Sequence, residues 1–365
     1  MRFSTILLIL TLVAGSTFAQ PKTKTENVVL ITLDGMRWQE VFNGADNSLL
    51  KNKGLVDDTV DIKKKFGAAT PEERRKKLMP FFWSTLATRG QLYGNRALEN
   101  QVNVSNNQWF SYPGYSEILT GYADNERIHS NDKFNNPNKN VLEFIQSKRG
   151  FEKKVAAFSS WEVFPFIINS DRNKIPVNSG VVKAQGNLSD REKLLNDLSF
   201  QLPNDEGETR LDGLTFQYAF EYLKLNHPRV LFISFDETDH FAHGGRYDRY
   251  LKSARYTDDM IATLWEWIQS QPTYKDKTTM LITTDHGRGA AEDNTWKDHG
   301  QRIPNANQIW LAVIGPDTPA RGELKTAGLL YQNQVAKTLA AFLGLNFVND
   351  QKNEGAVISS AGNFK

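Results

Sequence analysis

The 365-residue chain contains no cysteine. Disulfides and thiolate metal ligands are therefore excluded, and stability must come from the packed core that a chain of this length can build. Any metal site has to be assembled from His, Asp, Glu and hydroxyl groups, which suit zinc, manganese or magnesium. Histidine is itself scarce, at six residues. Charge of one sign is also lacking: Lys+Arg 44 against Asp+Glu 42 leaves a net charge of +2. No basic stripe recurs, which argues against nucleic acid as a partner. Long apolar runs are absent too, since a bilayer span needs about 18 or more such residues.

The longest apolar run lies in "MRFSTILLILTLVAGSTFAQ", residues 1–20. Arg2 precedes the apolar stretch Ile6–Ala14, and the small Thr17 and Ala19 follow. This pattern predicts a secretory leader, residues 1–19, cleaved between Ala19 and Gln20. No cysteine follows the cut, so lipid attachment there is excluded. The expected product is a secreted or periplasmic protein with no membrane span after cleavage. Loss of Arg2 takes its charge from +2 to +1.

From residue 20 to 365 the pattern is that of one α/β domain. "NVVLITLD" (27–34), "KKVAAFSS" (153–160), "RVLFISFD" (229–236), "TTMLITTD" (278–285) and "QIWLAVIG" (308–315) read as strands buried on both faces. Residues 141–149, 211–226, 247–270 and 331–343 read as helices. The alternation predicts a three-layer α/β sandwich, a mostly parallel central sheet with helices on both faces. Residues 51–78 form a polar, partly helical insertion, and "ERRKK" within it is expected to be a solvated helix face. Residues 170–210, rich in Asn, Asp, Ser and Gly, are expected to form a small cap or long loops over one end of the sheet.

Three of these strands end in acid: Asp34, Asp236 with Asp239 just beyond, and Asp285. In an open parallel sheet the carboxyl ends of the strands line the ligand crevice. A single Asp after a strand is most often a helix N-cap; three, two of them accompanied by histidine, are better explained by a shared site. His243, His286 in "TDHGRG" and His299 in "WKDHGQ" supply imidazoles, which with carboxylates hold divalent ions. The segment "LFISFDETDHFAHGG" holds two Asp/His pairs of equal spacing, Asp236/His240 and Asp239/His243, and the spacing alone does not choose between them. In "WFSYPGYSEILTGY", Pro113 and Gly121 bracket a short helix with Ser111 at its amino end. There Ser111 is either a nucleophile beside an anion-stabilising helix terminus or simply a cap.

Together these segments resemble the alkaline phosphatase superfamily, in particular its branch of type I phosphodiesterases and nucleotide pyrophosphatases. "ITLDGMRWQ" is similar to that branch's opening strand with its D-G-x-R. "SYPGYSEILTG" is similar to its nucleophile segment T-F-P-N-H-Y-S-x-x-T-G, with Ser111 in place of threonine. The branch's D-x-x-x-H ligand pair, with a small residue before the histidine and glycine soon after, is matched by Asp239, Ala242, His243 and Gly245. Asp236 and His240 are then implied as outer groups that orient ligands or face substrate. The resemblance implies two divalent ions, zinc first, with manganese or magnesium compatible. Asp34, Ser111, Asp285 and His286 would hold one, and Asp239, His243 and His299 the other. It also implies an attack by Ser111 on phosphorus that gives a phosphoserine. "HSNDKF" is similar to the segment whose asparagine contacts a phosphoryl oxygen, which points to Asn131 or its neighbour Asp132.

Gly114 and Tyr115 depart from the branch's Asn-His, and no arginine clearly matches a phosphate clamp. The expected partner is a small-molecule, glycan or nucleotide phosphate ester, monoester or diester. One alternative is a sulfatase-like hydrolase; against it, Tyr115 occupies the arginine position of the sulfatase maturation motif. A second is an exported binder of anions or glycans without turnover; against it, every ligand position keeps a competent residue. "WEVFPF", residues 161–166, is either an aromatic wall of the site or buried core.

Overall fold

A computed structural model describes residues 23–202 and 209–364, so the expected leader and its cleavage site lie outside the described residues. Among the described residues the strands are, in chain order, β1 Asn27–Leu33, β2 Gln91–Tyr93, β3 Asn100–Asn103, β4 Val155–Ser159, β5 Val177–Ser179 and β6 Val230–Phe235. There follow β7 Thr278–Thr283, β8 Gln308–Ile309, β9 Leu311–Ile314, β10 Gly322–Glu323 and β11 Gly328–Tyr331. Eight of them form the central sheet in the order β10-β2-β9-β7-β1-β6-β4-β5, and β11-β3-β8 form a small second sheet. Every pairing from β7 to β5 is parallel, and only β9 runs against its neighbours.

The continuous apolar runs are explained by burial on both faces. Val28 and Leu30 of β1 enter one hydrophobic core, while Val29, Ile31 and Leu33 enter the other. Helices Asp212–Asn226 and Tyr247–Ser270 cover the second of these faces. Helices Ser111–Thr120, Val141–Gln146 and Gln334–Phe342 cover the first. The three-layer sandwich expected from the sequence is the fold of the protein. Each large side chain fully buried in these layers contributes about 1.5–3 kcal/mol.

Three details differ from expectation. The run 308–315 is two strands: β8 pairs with β3, and after the fully buried Trp310 the chain enters the main sheet as β9. Of the span 170–210, Val177–Ser179 extends the main sheet as its edge strand beside β4, and Asp190–Gln201 is a helix. The "ERRKK" face is only partly solvated: Arg74 is buried, and Arg75 lies over the Trp83 ring and pairs with Glu323 at 3.0 Å.

In register, Leu33 of β1 lies beside Phe235 of β6, and Thr32 beside Thr283 of β7. The residues following these strands therefore emerge side by side at one edge of the sheet.

Candidate metal centre and nucleophile

Asp34 leaves β1 just before Gly35, whose φ of +56° is a left-handed conformation that glycine adopts without strain. A Cβ at Gly35 would lie 2.7 Å from Arg288 Nε and 2.8 Å from Asp239 Oδ1, so glycine is also required by space. The Gly35 amide donates to Asp285 Oδ1 at 3.0 Å, tying the β1 and β7 exits together. Beyond β6, helix Glu237–His243 carries Asp239 and His243 one turn apart, with His243 Nε2 at 3.2 Å from Asp239 Oδ2.

Two clusters result among the described residues. Asp34, Asp285 and His286 bring their ligand atoms within 4.8 Å of one another, and so do Asp239, His243 and His299. His286 Nδ1 donates to the Gly287 carbonyl at 2.9 Å, which directs Nε2 toward Asp34 Oδ1 at 3.3 Å and Asp285 Oδ2 at 3.4 Å. His286 Nε2 also lies 3.7 Å from Asp239 Oδ1, which links the clusters. His243 and His299 face each other through Nε2 at 2.8 Å.

The donors fit divalent cations. Asp34 Oδ1 and Asp285 Oδ2 are buried without a hydrogen-bond partner, a costly state for a carboxylate that a cation would relieve. Burial, reinforced by Asp239, pushes the Asp34 carboxyl well above the usual range; burial, reinforced by Asp34, does the same to Asp285. Asp239 goes the other way: burial raises it, but Arg288 and the histidines outweigh that and hold it well below. Burial and the nearby His286 push His299 down, keeping it the neutral imidazole that binds metals.

Ser111 is the first residue of helix Ser111–Thr120 and does not cap it; Phe110 occupies the cap position. The Ser111 hydroxyl instead faces His286 Nε2 at 3.5 Å. Gly114 permits this approach, because a Cβ there would lie 2.3 Å from the Asp285 carbonyl oxygen. Asn131 Oδ1 accepts from the Tyr112 amide at 2.9 Å, placing Asn131 beside the nucleophile; Asp132 is held by Ser130 at 2.8 Å. Both border a cavity of about 820 Å³ that also meets Ser111, Asp239 and His243. Asp236 and His240 line that cavity but belong to neither cluster. From "WEVFPF", Trp161 and Val163 reach the cavity wall, whereas Phe164 is core.

Arg288 was not singled out from the sequence. It is buried, its guanidinium binds Asp239 and the Lys297 carbonyl, and the one available signal was its position two residues after His286. Arg37 of the D-G-x-R segment does not reach the cavity; its side chain holds Glu40 at 2.8 Å and the Gly289 carbonyl at 3.1 Å behind the site.

The profile of the type I phosphodiesterase / nucleotide pyrophosphatase family matches residues 51–340, well over half of the sequence. The chain belongs to that family. By that family it is a hydrolase of the phosphodiesterase and pyrophosphatase kind. The match includes Ser111, Asp239, His243, Asp285, His286 and His299, while Asp34 precedes it. No curated protein shows significant similarity to the sequence. Among solved structures, the fold is similar to alkaline phosphatase PafA, with a TM-score of 0.60 and 11% identity over 94% of this chain and 100% of that one. It is also similar to the phosphonate monoester hydrolase of Agrobacterium radiobacter (0.57, 12%, 93% and 78%). A third likeness is to the lipoteichoic acid synthase LtaP of Listeria monocytogenes (0.59, 10%, 92% and 76%). At these identities the likeness establishes the fold alone.

Proposed function

We propose that this family member is an exported two-metal hydrolase of phosphate esters that acts through a phosphoserine on Ser111. The observation that carries the reading is the pair of carboxylate/imidazole clusters flanking the Ser111 hydroxyl, which lies 3.5 Å from His286 Nε2. Asp34, Ser111, Asp285 and His286 would hold one ion, and Asp239, His243 and His299 the other, zinc being the first choice for these donors. When bound, such ions supply the positive charge that favours an ionised serine and offsets charge on the reacting phosphoryl group.

Ser111 then forms the Oγ–P bond as the bond from phosphorus to the leaving oxygen breaks. A monoester leaves phosphoserine, a diester leaves its serine ester with the second alcohol still on phosphorus, and water later cleaves the Oγ–P bond. With its Oδ1 engaged by the Tyr112 amide, Asn131 offers its amide nitrogen to a phosphoryl oxygen. Asp236 and His240 face the substrate from the cavity wall. Trp161 and Val163 give the leaving group an apolar surface on the same wall.

Lys133 is the one cationic Lys or Arg side chain lining the cavity among the described residues, and it pairs with Glu162 at 2.5 Å. Beyond the two proposed ions, the second negative charge of a monoester would meet only this one side chain, so the lining favours a phosphodiester. Export is supported by the leader-like residues 1–19, and no helix among the described residues is long and apolar enough to cross a membrane.

The test is hydrolysis of bis-p-nitrophenyl phosphate, p-nitrophenyl phosphate and p-nitrophenyl sulfate by zinc-loaded protein, each with and without chelator. Chelator-sensitive turnover, fastest on the diester, is expected. Turnover of the sulfate alone, or turnover untouched by chelation, would sink the proposal.

A further inference from the structure

Two side chains of the nucleophile helix Ser111–Thr120 run away from the cavity and end on groups that hold the two ligand clusters. Tyr115 is buried, and its hydroxyl donates to Asp34 Oδ2 at 2.8 Å. Ser234 Oγ in turn donates to the Tyr115 hydroxyl at 3.1 Å, which commits the phenol proton to Asp34. One oxygen of Asp34 is thereby occupied, and Oδ1 is the oxygen left facing His286.

Glu117, two residues further along, is fully buried. Its carboxylate accepts from the Ser105 amide at 2.9 Å, the Ser105 hydroxyl at 2.6 Å, the Asn106 amide at 2.7 Å and Asn106 Nδ2 at 2.8 Å. Asn106 Oδ1, so fixed, accepts from the Gln108 amide at 2.9 Å and the Trp109 amide at 3.1 Å. Trp109 has a φ of +55°, a left-handed conformation unfavourable for a bulky residue that persists only where its surroundings enforce it. Its carbonyl oxygen accepts from His299 Nδ1 at 3.3 Å. A carbonyl cannot donate, so Nδ1 carries the proton, and the Nε2 lone pair is the one turned to His243 and Asp239.

We propose that this helix aligns both ligand clusters with the serine it carries: Tyr115 sets the Asp34 carboxylate, and Glu117, through Asn106 and the Trp109 carbonyl, sets the His299 imidazole. The inference rests on the two-metal reading above. Tyr115 and Glu117 are positioning residues, and neither lines the cavity. They also stand where the family pattern has histidine and serine, so the arrangement belongs to this chain's own sequence.

The test measures zinc affinity by calorimetry at each cluster separately. An Asp285→Asn background leaves Asp239, His243 and His299 intact, and a His243→Ala background leaves Asp34, Asp285 and His286. In the first background, Glu117→Gln and Asn106→Ala should each weaken zinc binding about 10-fold or more; in the second they should change it by less than about 2-fold. Tyr115→Phe should do the converse. A general loss of structure would weaken both clusters alike and lower the melting temperature, and that pattern overturns the proposal. Should Glu117→Gln not fold, Asn106→Ala decides that arm. Variants that bind as tightly as their backgrounds, in a protein that holds two zinc equivalents, overturn the inference alone. A wild-type protein that does not hold two equivalents overturns the two-metal reading and this inference with it.

Discussion

His240 and His243 sit three residues apart on one short helix, yet only His243 faces a second imidazole and a carboxylate together. Replacing His243 with alanine removes one of three donors from its cluster, whereas His240 borders the cavity without joining either cluster. His243→Ala is therefore expected to lower bound zinc by about one equivalent, and His240→Ala to leave it unchanged while altering KM. Metal analysis of both variants checks this, and equal loss in the two would contradict the assignment of His243, rather than His240, as the ligand. At this scale Asp34 and Asp285 were legible in the sequence because each closes an apolar run, a pattern that survives without tertiary information; Asp239 lies three residues beyond such a run, which Asp236 closes. Arg288, Glu117 and Asn106 were not. Their importance lies in what they touch across the fold, and a buried charge in a polar stretch looks the same in one dimension as a solvated one.

At the scale of the element, helix Ser111–Thr120 gives a prediction opposite in sign to helix propensity. Alanine is about 1 kcal/mol better than glycine inside an exposed helix. At Gly114 a Cβ would sit 2.3 Å from the Asp285 carbonyl oxygen, and that backbone is held by Gln332 at 2.6 Å. Gly114→Ala should therefore destabilise by about 1–3 kcal/mol and displace Ser111 from His286. Urea unfolding and turnover of the variant check it; a more stable and fully active variant would contradict the close approach. The helix 247–270 was readable to its ends because its apolar face repeats with helical period. β5 was not, since two half-buried residues and a buried serine, flanked by proline and glycine, carry no period. Nor does an apolar run encode its direction, which is why β9 could be expected as a strand but not as the antiparallel one.

For the molecule as a whole, pH reports on how distant elements are joined. Asp258, buried on helix Tyr247–Ser270, accepts from the Phe81 amide at 2.8 Å and the Phe82 amide at 3.1 Å, joining that helix to the segment leading into β2. Burial pushes its carboxyl up from 3.8 to about 7. Between those values the folded protein holds a proton that the unfolded chain has released. Stability from this group is thus greatest at the acid end and falls as pH rises toward 7, by at most about 1.4 kcal/mol per unit. The stability difference between wild type and Asp258→Asn should accordingly shrink from pH 5 to pH 7.5 in urea titrations. A difference independent of pH would place the proton elsewhere.

The central claim, that Ser111 attacks phosphorus, is tested most directly by quenching turnover of bis-p-nitrophenyl phosphate in acid and sequencing the modified peptide by mass spectrometry. The account predicts a p-nitrophenylphosphoryl adduct on Ser111, one p-nitrophenolate having left and the other still on phosphorus, and in Ser111→Ala no adduct with turnover reduced at least about 10³-fold. Undiminished hydrolysis by Ser111→Ala, or an adduct on another residue, would contradict it.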